Sequence, residues 1–214
     1  MKALDWHRFL QAQHEQHGKV VFTVTELANA AQASPRVLNV ELARLIKRGV
    51  IVRYARGRYG AVRGVSPEDV LPFLDTAAYL TGLYALHRHD LITQLPREIT
   101  CFTNRRHNRS RERLSPLGRF VFVCVGPQIY AHPADGWTVG PEQALCDFLY
   151  LACRQSLDAR TLVTFRNLNT LDGKRLRRML DRYPQTVSRA FQRLERFHSP
   201  LLVDDDQQLK QVRV

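Results

Sequence analysis

Acidic residues are scarce in this chain. Twenty Asp and Glu stand against 32 Lys and Arg, for a formal net charge of +12. That imbalance points to polyanions as partners. Cysteine is also sparse. Cys101, Cys124, Cys146 and Cys153 form no C-x-x-C pair, and each lies among apolar neighbours, so all four read as reduced core residues. No apolar run reaches the length of a membrane span, and no charged-then-apolar N-terminal segment marks a signal peptide, so a cytoplasmic, nucleoid-associated protein is expected. The eight histidines are scattered. His14 with His17, and His87 with His89, are closely spaced but lack a third ligand, so no metal site is expected. Phosphate-loop and nucleophile-elbow motifs are missing, as are the paired aspartates that follow Gly-Ser in nucleotidyltransferases. Asp204-Asp205-Asp206 with Lys210 lacks the spaced strand carboxylates of a metal-dependent nuclease and reads as tail. No catalytic residue and no cofactor are assigned, and the chain is not expected to be an enzyme.

What is present is a dense basic segment near the N-terminus. Residues 1–63 hold eleven Lys/Arg against four Asp/Glu. Leu4–Gln16 predicts an opening helix with Trp6, Phe9 and Leu10 on one side, and Val20-Val21-Phe22 a short strand. Thr23 with Glu26 three positions on is a capping box for a second helix carrying Leu27, Ala28 and Ala31. After a break at Ala33, Ser34 caps a third helix with Pro35 in its first turn. Leu38, Leu42, Leu45 and Ile46 recur at helical spacing as its buried face, and Gly49 ends it. Residues 50–54 and 58–62 then predict two strands around an Arg56-Gly57 turn. Helix, turn, helix and basic hairpin predict a winged helix-turn-helix, with double-stranded DNA as partner.

In such a module Arg36 and Asn39 face base edges, arginine suiting guanine and asparagine adenine. Ser34, Val40 and Arg44 share that surface. Lys47, Arg53, Arg56 and Arg58 suit phosphates or, in the hairpin, the minor groove.

Ser66-Pro67 suggests a cap and a domain boundary, giving residues 1–65 and 66–214. Beyond it the sequence predicts an α+β arrangement of small sheet and C-terminal helices. A helix is expected from Thr76 to His89, with Gly82 allowing close packing. Arg97–Phe102 alternates as a strand, Arg119–Val125 reads as a central strand, and residues 128–131 and 137–139 as further short ones. Between the first two lies the most basic loop, 104–113, in which Arg105, Arg106, Arg109, Arg111 and Arg113 are candidates for phosphate or partner contact. Pro141-Glu142 opens a buried helix containing Asp147, a carboxylate that either bonds a neighbour or marks a contact site. Asp172 caps a helix over Gly173–Arg182, and Pro184 starts another with Val187, Ala190, Phe191 and Leu194 inward. On that last helix Arg189, Arg193 and Arg196 form a basic stripe that reads as solvated surface or a partner site.

The stretch YLTGLYALHRHDLITQLP from Tyr79 and VGPEQALCDFL from Val139 resemble the AbiEi family of antitoxins. Tyr79, Gly82, Ala85, Leu86, Leu91 and Pro96 match the first family pattern, and Pro141, Glu142, Ala144, Leu145 and Asp147 the second. Asp90 stands where family members often have glycine, and Gly140 where they often have threonine. The resemblance implies the antitoxin of a bacterial abortive-infection toxin–antitoxin system. Its N-terminal domain would bind inverted repeats in its own promoter as two copies and repress it. Its C-terminal domain would counter a nucleotidyltransferase toxin without a stable complex. The alternative is a stand-alone regulator whose C-terminal domain senses a small ligand.

Overall fold

The computed structural model of the chain describes residues 2–107 and 110–197, without the side chains of Pro35 and Phe197. Arg109 and the acidic run 204–206 lie outside the described residues. The protein is α+β, with nine α-helices and two small sheets among the described residues. None of those helices is long and apolar enough to cross a membrane. Two compact units are formed, the first by residues 1–78 and 112–120, the second by 79–111 and 121–214.

The first unit opens with α1, Ala3–His17, which buries Trp6 and Leu10. Strand β1, Val21–Thr23, leads into α2, Val24–Ala31. The Thr23 hydroxyl accepts from the Glu26 N–H at 3.1 Å, and the Glu26 carboxylate accepts from the Thr23 N–H at 2.8 Å, which satisfies two end donors reciprocally. Burial pushes the Glu26 pKa up, but the Lys19 ammonium 2.6 Å away and the Thr23 N–H outweigh it and hold the carboxyl below its usual range. A three-residue turn separates α2 from α3, Pro35–Lys47. Leu38, Leu42 and Leu45 of α3 are buried against Trp6, Leu10, Phe22 and Leu27. Each such side chain contributes on the order of 1.5–3 kcal/mol when removed from water.

Two expectations fail on α3. Ser34 occupies the cap position, but its side chain makes no capping bond. Ile46 is 39% exposed and not part of the buried face. The stripe of Leu38, Leu42 and Leu45 already fills the space under the helix, and Ile46, one residue on, is turned about 100° away from Leu45.

Strands β2, Val52–Ala55, and β3, Arg58–Gly60, complete an antiparallel sheet of order β1-β3-β2, so β1 joins the hairpin as the sequence suggested. Gly60 is what permits the central strand to sit there. A Cβ at this position would stand 2.2 Å from the Val20 carbonyl oxygen. Helix α4, Pro67–Leu74, buries Val70 and Leu71 and belongs to the first unit, so residues 66–78 fall with the N-terminal part.

In the second unit, the segment read as one helix from Thr76 divides. Tyr79–Leu80 is β4, and α5 runs only from Gly82 to Arg88. Two causes act together. Tyr79 and Leu80 pair with Phe102 and Cys101 of β5, Glu98–Thr103, and Gly82 has φ +58 with Thr100 packed 3.3 Å from where its Cβ would be. The loop 104–113 also ends early, because Glu112–Ser115 is a strand, β6, that includes Arg113 and falls with the first unit. With β7, Gly118–Cys124, the second sheet has the order β4-β5-β7-β6. The expected strand at 128–131 is a turn, in which Ile129 and Tyr130 donate to the Gly126 carbonyl at 3.0 and 2.9 Å. Residues 137–139 contribute one bridge, Thr138 to Leu80.

Helix α6, Pro141–Arg154, is the spine of this unit and is buried almost throughout its first half. Around it lie α7, Ala159–Leu162, α8, Gly173–Leu180, and α9, Gln185–Phe197. Asp172 caps α8 by accepting from the Arg175 N–H at 3.0 Å, as its position predicts. Asp147 of α6 is fully buried. It accepts from the Thr81 hydroxyl at 2.6 Å and the Tyr183 hydroxyl at 2.6 Å, binding three separate segments together. Burial pushes its pKa up to about 7, against the lowering effect of the two hydroxyls.

Two stability tests follow. Gly60→Ala should cost about 1–3 kcal/mol through forced backbone displacement, while Gly126→Ala, with nothing within 4 Å of its Cβ, should change stability by less than about 0.5 kcal/mol; urea unfolding of both variants decides this. For Asp147, the folded chain holds a proton that the unfolded chain releases between the ordinary carboxylate value and about 7. Stability should therefore be greatest at acid pH, fall as pH rises toward 7, and level off above it. Unfolding midpoints from pH 5 to 8 should show wild type losing ground against Asp147→Asn up to about pH 7 and holding a constant difference beyond it. A difference constant from pH 5 upward would mean that Asp147 is ionised throughout that range.

Candidate nucleic-acid interface

The surface of α3 opposite its leucines carries Arg36, Asn39, Val40, Arg44 and Lys47, all exposed. Arg36 and Asn39 lie in the first two turns, so they sit at the end of the helix that follows the turn after α2. The single carboxylate of α3 is Glu41. It is half-buried and accepts from the Trp6 indole N–H at 2.6 Å, a bond that ties α3 to α1. The acidic group is thereby engaged at the seam, and the outer face presents cations and an amide.

Val40 is 53% exposed and lines a shallow cavity of about 530 Å³ with Val37, Glu41, Arg44 and Arg48, where α3 meets Lys2 at the start of α1. Lys2 and Arg48 were not among the residues singled out from sequence. Arg48 had a readable signal, since it follows Lys47 at the helix end. Lys2 had none, because its place beside Arg44 results from helix packing across some forty residues.

The hairpin supplies further cations. Arg53 and Arg56 are exposed, and the Arg53 Nε donates to the Ala55 carbonyl at 3.4 Å. Arg58 differs from them. Its guanidinium lies 4.7 Å from the Phe73 ring of α4, and it is half-buried. Stacking there adds on the order of 0.5–1 kcal/mol and gives Arg58 a packing role within the first unit. Ser34 is exposed at the entry to α3.

The other cations lie in the second unit, except Arg113, which falls with the first. Arg105, Arg106 and Arg111 are exposed on the loop between β5 and β6. Arg113 in β6 is half-buried and donates to the Glu112 carbonyl at 2.9 Å. On α9, Arg189, Arg193 and Arg196 are exposed, and Arg189 donates to the Gln185 side chain at 3.1 Å. Arg189 and Arg193 border a cavity of about 360 Å³ with Cys153 and Asp158. On α8, Arg175 lies 3.7 Å from the buried Glu142 carboxylate.

The cysteines depart from the core reading. Cys101 and Cys146 are buried and Cys153 is half-buried, but Cys124 is exposed. Cys124 shares the face of Phe120 and Phe122 by the alternation of β7, yet it is the last residue of the strand and is exposed there. Among the described residues no three His, Cys, Asp or Glu side chains group as metal ligands. Asp147 is committed to Thr81 and Tyr183, and its role is the joining of three segments.

No protein-family model matches the chain, and no curated protein is significantly similar to it.

Proposed function

We propose that the first unit is a winged helix-turn-helix that binds double-stranded DNA, and that the chain is an autorepressing antitoxin of the AbiEi kind. The observation that carries the DNA reading is the exposed face of α3. It presents Arg36, Asn39, Arg44 and Lys47, while the only carboxylate of the helix is bonded to Trp6. The element order supports the module: α1, β1, α2, a three-residue turn, α3, and then a hairpin whose β3 pairs with both β1 and β2. In this docking α3 enters the major groove with Arg36 and Asn39 at base edges. Lys47, Arg53 and Arg56 neutralise phosphates.

Two details favour the antitoxin kinship suggested by the sequence motifs. Asp90, where the family pattern often has glycine, lies at φ +60, a left-handed conformation that glycine adopts without cost. Here the aspartate is held there by bonds from Arg166 and from the Asn167 amide, the latter at 2.9 Å. Gly140, where the pattern often has threonine, is the N-cap of α6, a position that favours threonine and tolerates glycine. The function proposed is repression of the chain's own promoter by two copies on inverted repeats. The second unit relieves the effect of a nucleotidyltransferase toxin.

The test is a titration of the DNA upstream of the gene, with scrambled duplex as control, at several salt concentrations. Arg36→Ala and Asn39→Ala should each weaken promoter binding by on the order of 1–3 kcal/mol, about 5- to 150-fold. Arg56→Ala should weaken promoter and scrambled duplex alike and reduce the salt slope by about 0.9. Unchanged binding in both Arg36→Ala and Arg56→Ala would sink this docking. A toxin gene directly downstream whose toxicity the chain suppresses would support the antitoxin role, and toxicity unaffected by the chain would remove it.

A further inference from the structure

The loop after β5 and the outer end of β7 form a groove that the promoter reading does not use. Its volume is about 600 Å³, and Arg106, Arg111 and Arg154 line it together with His107, Phe122 and Cys124. That size lies within the range of small-ligand sites, about 300–1,000 Å³. No carboxylate is among the described residues that line it. Arg154 comes from the last turn of α6, so the cations converge from two separate elements. The Arg111 backbone and the Arg154 side chain each have a fixed neighbour. The Arg111 carbonyl accepts from the Phe122 N–H at 2.7 Å, and the Arg154 guanidinium lies 5.6 Å from the Tyr150 ring.

An aromatic surface lies among these cations. The His107 ring stacks on Phe122 with centroids 4.6 Å apart and planes inclined by 37°. Phe122 is buried beneath it, so the imidazole is the ring available at the surface. Cations that follow a phosphate backbone, combined with a flat ring on which a base can lie, are the elements by which proteins bind single strands. A duplex keeps its bases stacked inside and cannot offer one to such a ring.

We infer that this groove binds a single-stranded polynucleotide, with Arg106, Arg111 and Arg154 on successive phosphates and one base stacked on His107. The site is confined to the second unit and does not depend on the promoter reading.

The experiment uses the full chain and fluorescence anisotropy of labelled ten-nucleotide oligo-U and oligo-dT, from 50 to 200 mM salt. Saturable binding is expected, with a salt slope near −0.7 for each phosphate neutralised. Arg106→Gln combined with Arg154→Gln should weaken it at least tenfold and reduce the slope by about 1.4. His107→Ala should weaken it about fivefold or more. Arg177→Gln combined with Arg178→Gln on α8, which removes the same charge elsewhere, should change it less than twofold. Arg36→Ala should leave it unchanged, so loss of promoter binding and loss of strand binding are read separately. Preference for oligo-U over oligo-dT would assign the strand as RNA, and the reverse as DNA. Cys124 provides a footprint, because its alkylation should slow at least fivefold at saturating oligonucleotide while half-buried Cys153 serves as internal reference. Equal weakening in the α8 control, no binding of either strand, or unprotected Cys124 at saturation would each overturn the proposal.

Discussion

The surface of the first unit depends on the burial of one stripe of α3. Leu38, Leu42 and Leu45 hold the helix against α1, α2 and β1, and this burial decides which residues are left outside. At the margin of the stripe, Glu41 would otherwise place a negative charge beside Arg44. The Trp6 indole N–H donates to it, so one interaction both ties α1 to α3 and holds the carboxylate at the seam between them. Trp6 is wholly buried and its N–H needs an acceptor, because leaving it unpaired would cost on the order of 1–3 kcal/mol. Structural satisfaction and surface charge are therefore one problem in this unit, solved by one pair of residues.

The second unit is organised on the opposite principle. Its central helix carries polar groups into the interior and bonds them to other segments, the Glu142 Oε2 alone among these oxygens facing Arg175 at 3.7 Å without a hydrogen bond. Asp147 receives two hydroxyls, from Thr81 and Tyr183. The Gln143 amide donates to the Ala131 carbonyl at 2.7 Å, and the Glu142 carboxylate accepts from the Asp172 N–H at 3.1 Å. Each bond leaves the helix for another segment, so α6 joins the entry to α5, the loop at Ala131, and the entries to α8 and α9. Such a network specifies one arrangement more strictly than apolar contact does, because a misplaced partner leaves a buried polar group unpaired.

Much of this was legible locally. The capping box at Thr23 and Glu26, the α3 stripe apart from Ile46, the basic hairpin and the Asp172 cap all depend on residues within a few positions of one another, and these formed as read. The readings that failed required partners far along the chain. Tyr79-Leu80 looks helical beside Gly82-Leu83-Tyr84, yet it pairs with β5 some twenty residues away. Residues 128–131 have strand composition, but no strand lies beside them among the described residues, and Gly126-Pro127 starts a turn. The candidate cations divide in the same way. Their exposure was readable from periodicity. That Arg58 stacks on Phe73, and that Arg154 joins Arg106 and Arg111 in one groove, was not.

The sequence by itself determined where α2, α3, α6 and α8 start, which leucines of α3 are buried, and the positive charge of the chain, because caps, periodicity and net charge act over one or two turns or over composition alone. The tertiary structure decided the rest. It engaged Glu41 with Trp6, set Asp147 as a clasp between three segments, and left Cys124 exposed beside three arginines. Burial and hydrogen-bond pairing are properties of the space between elements, and that space exists only once the chain has folded.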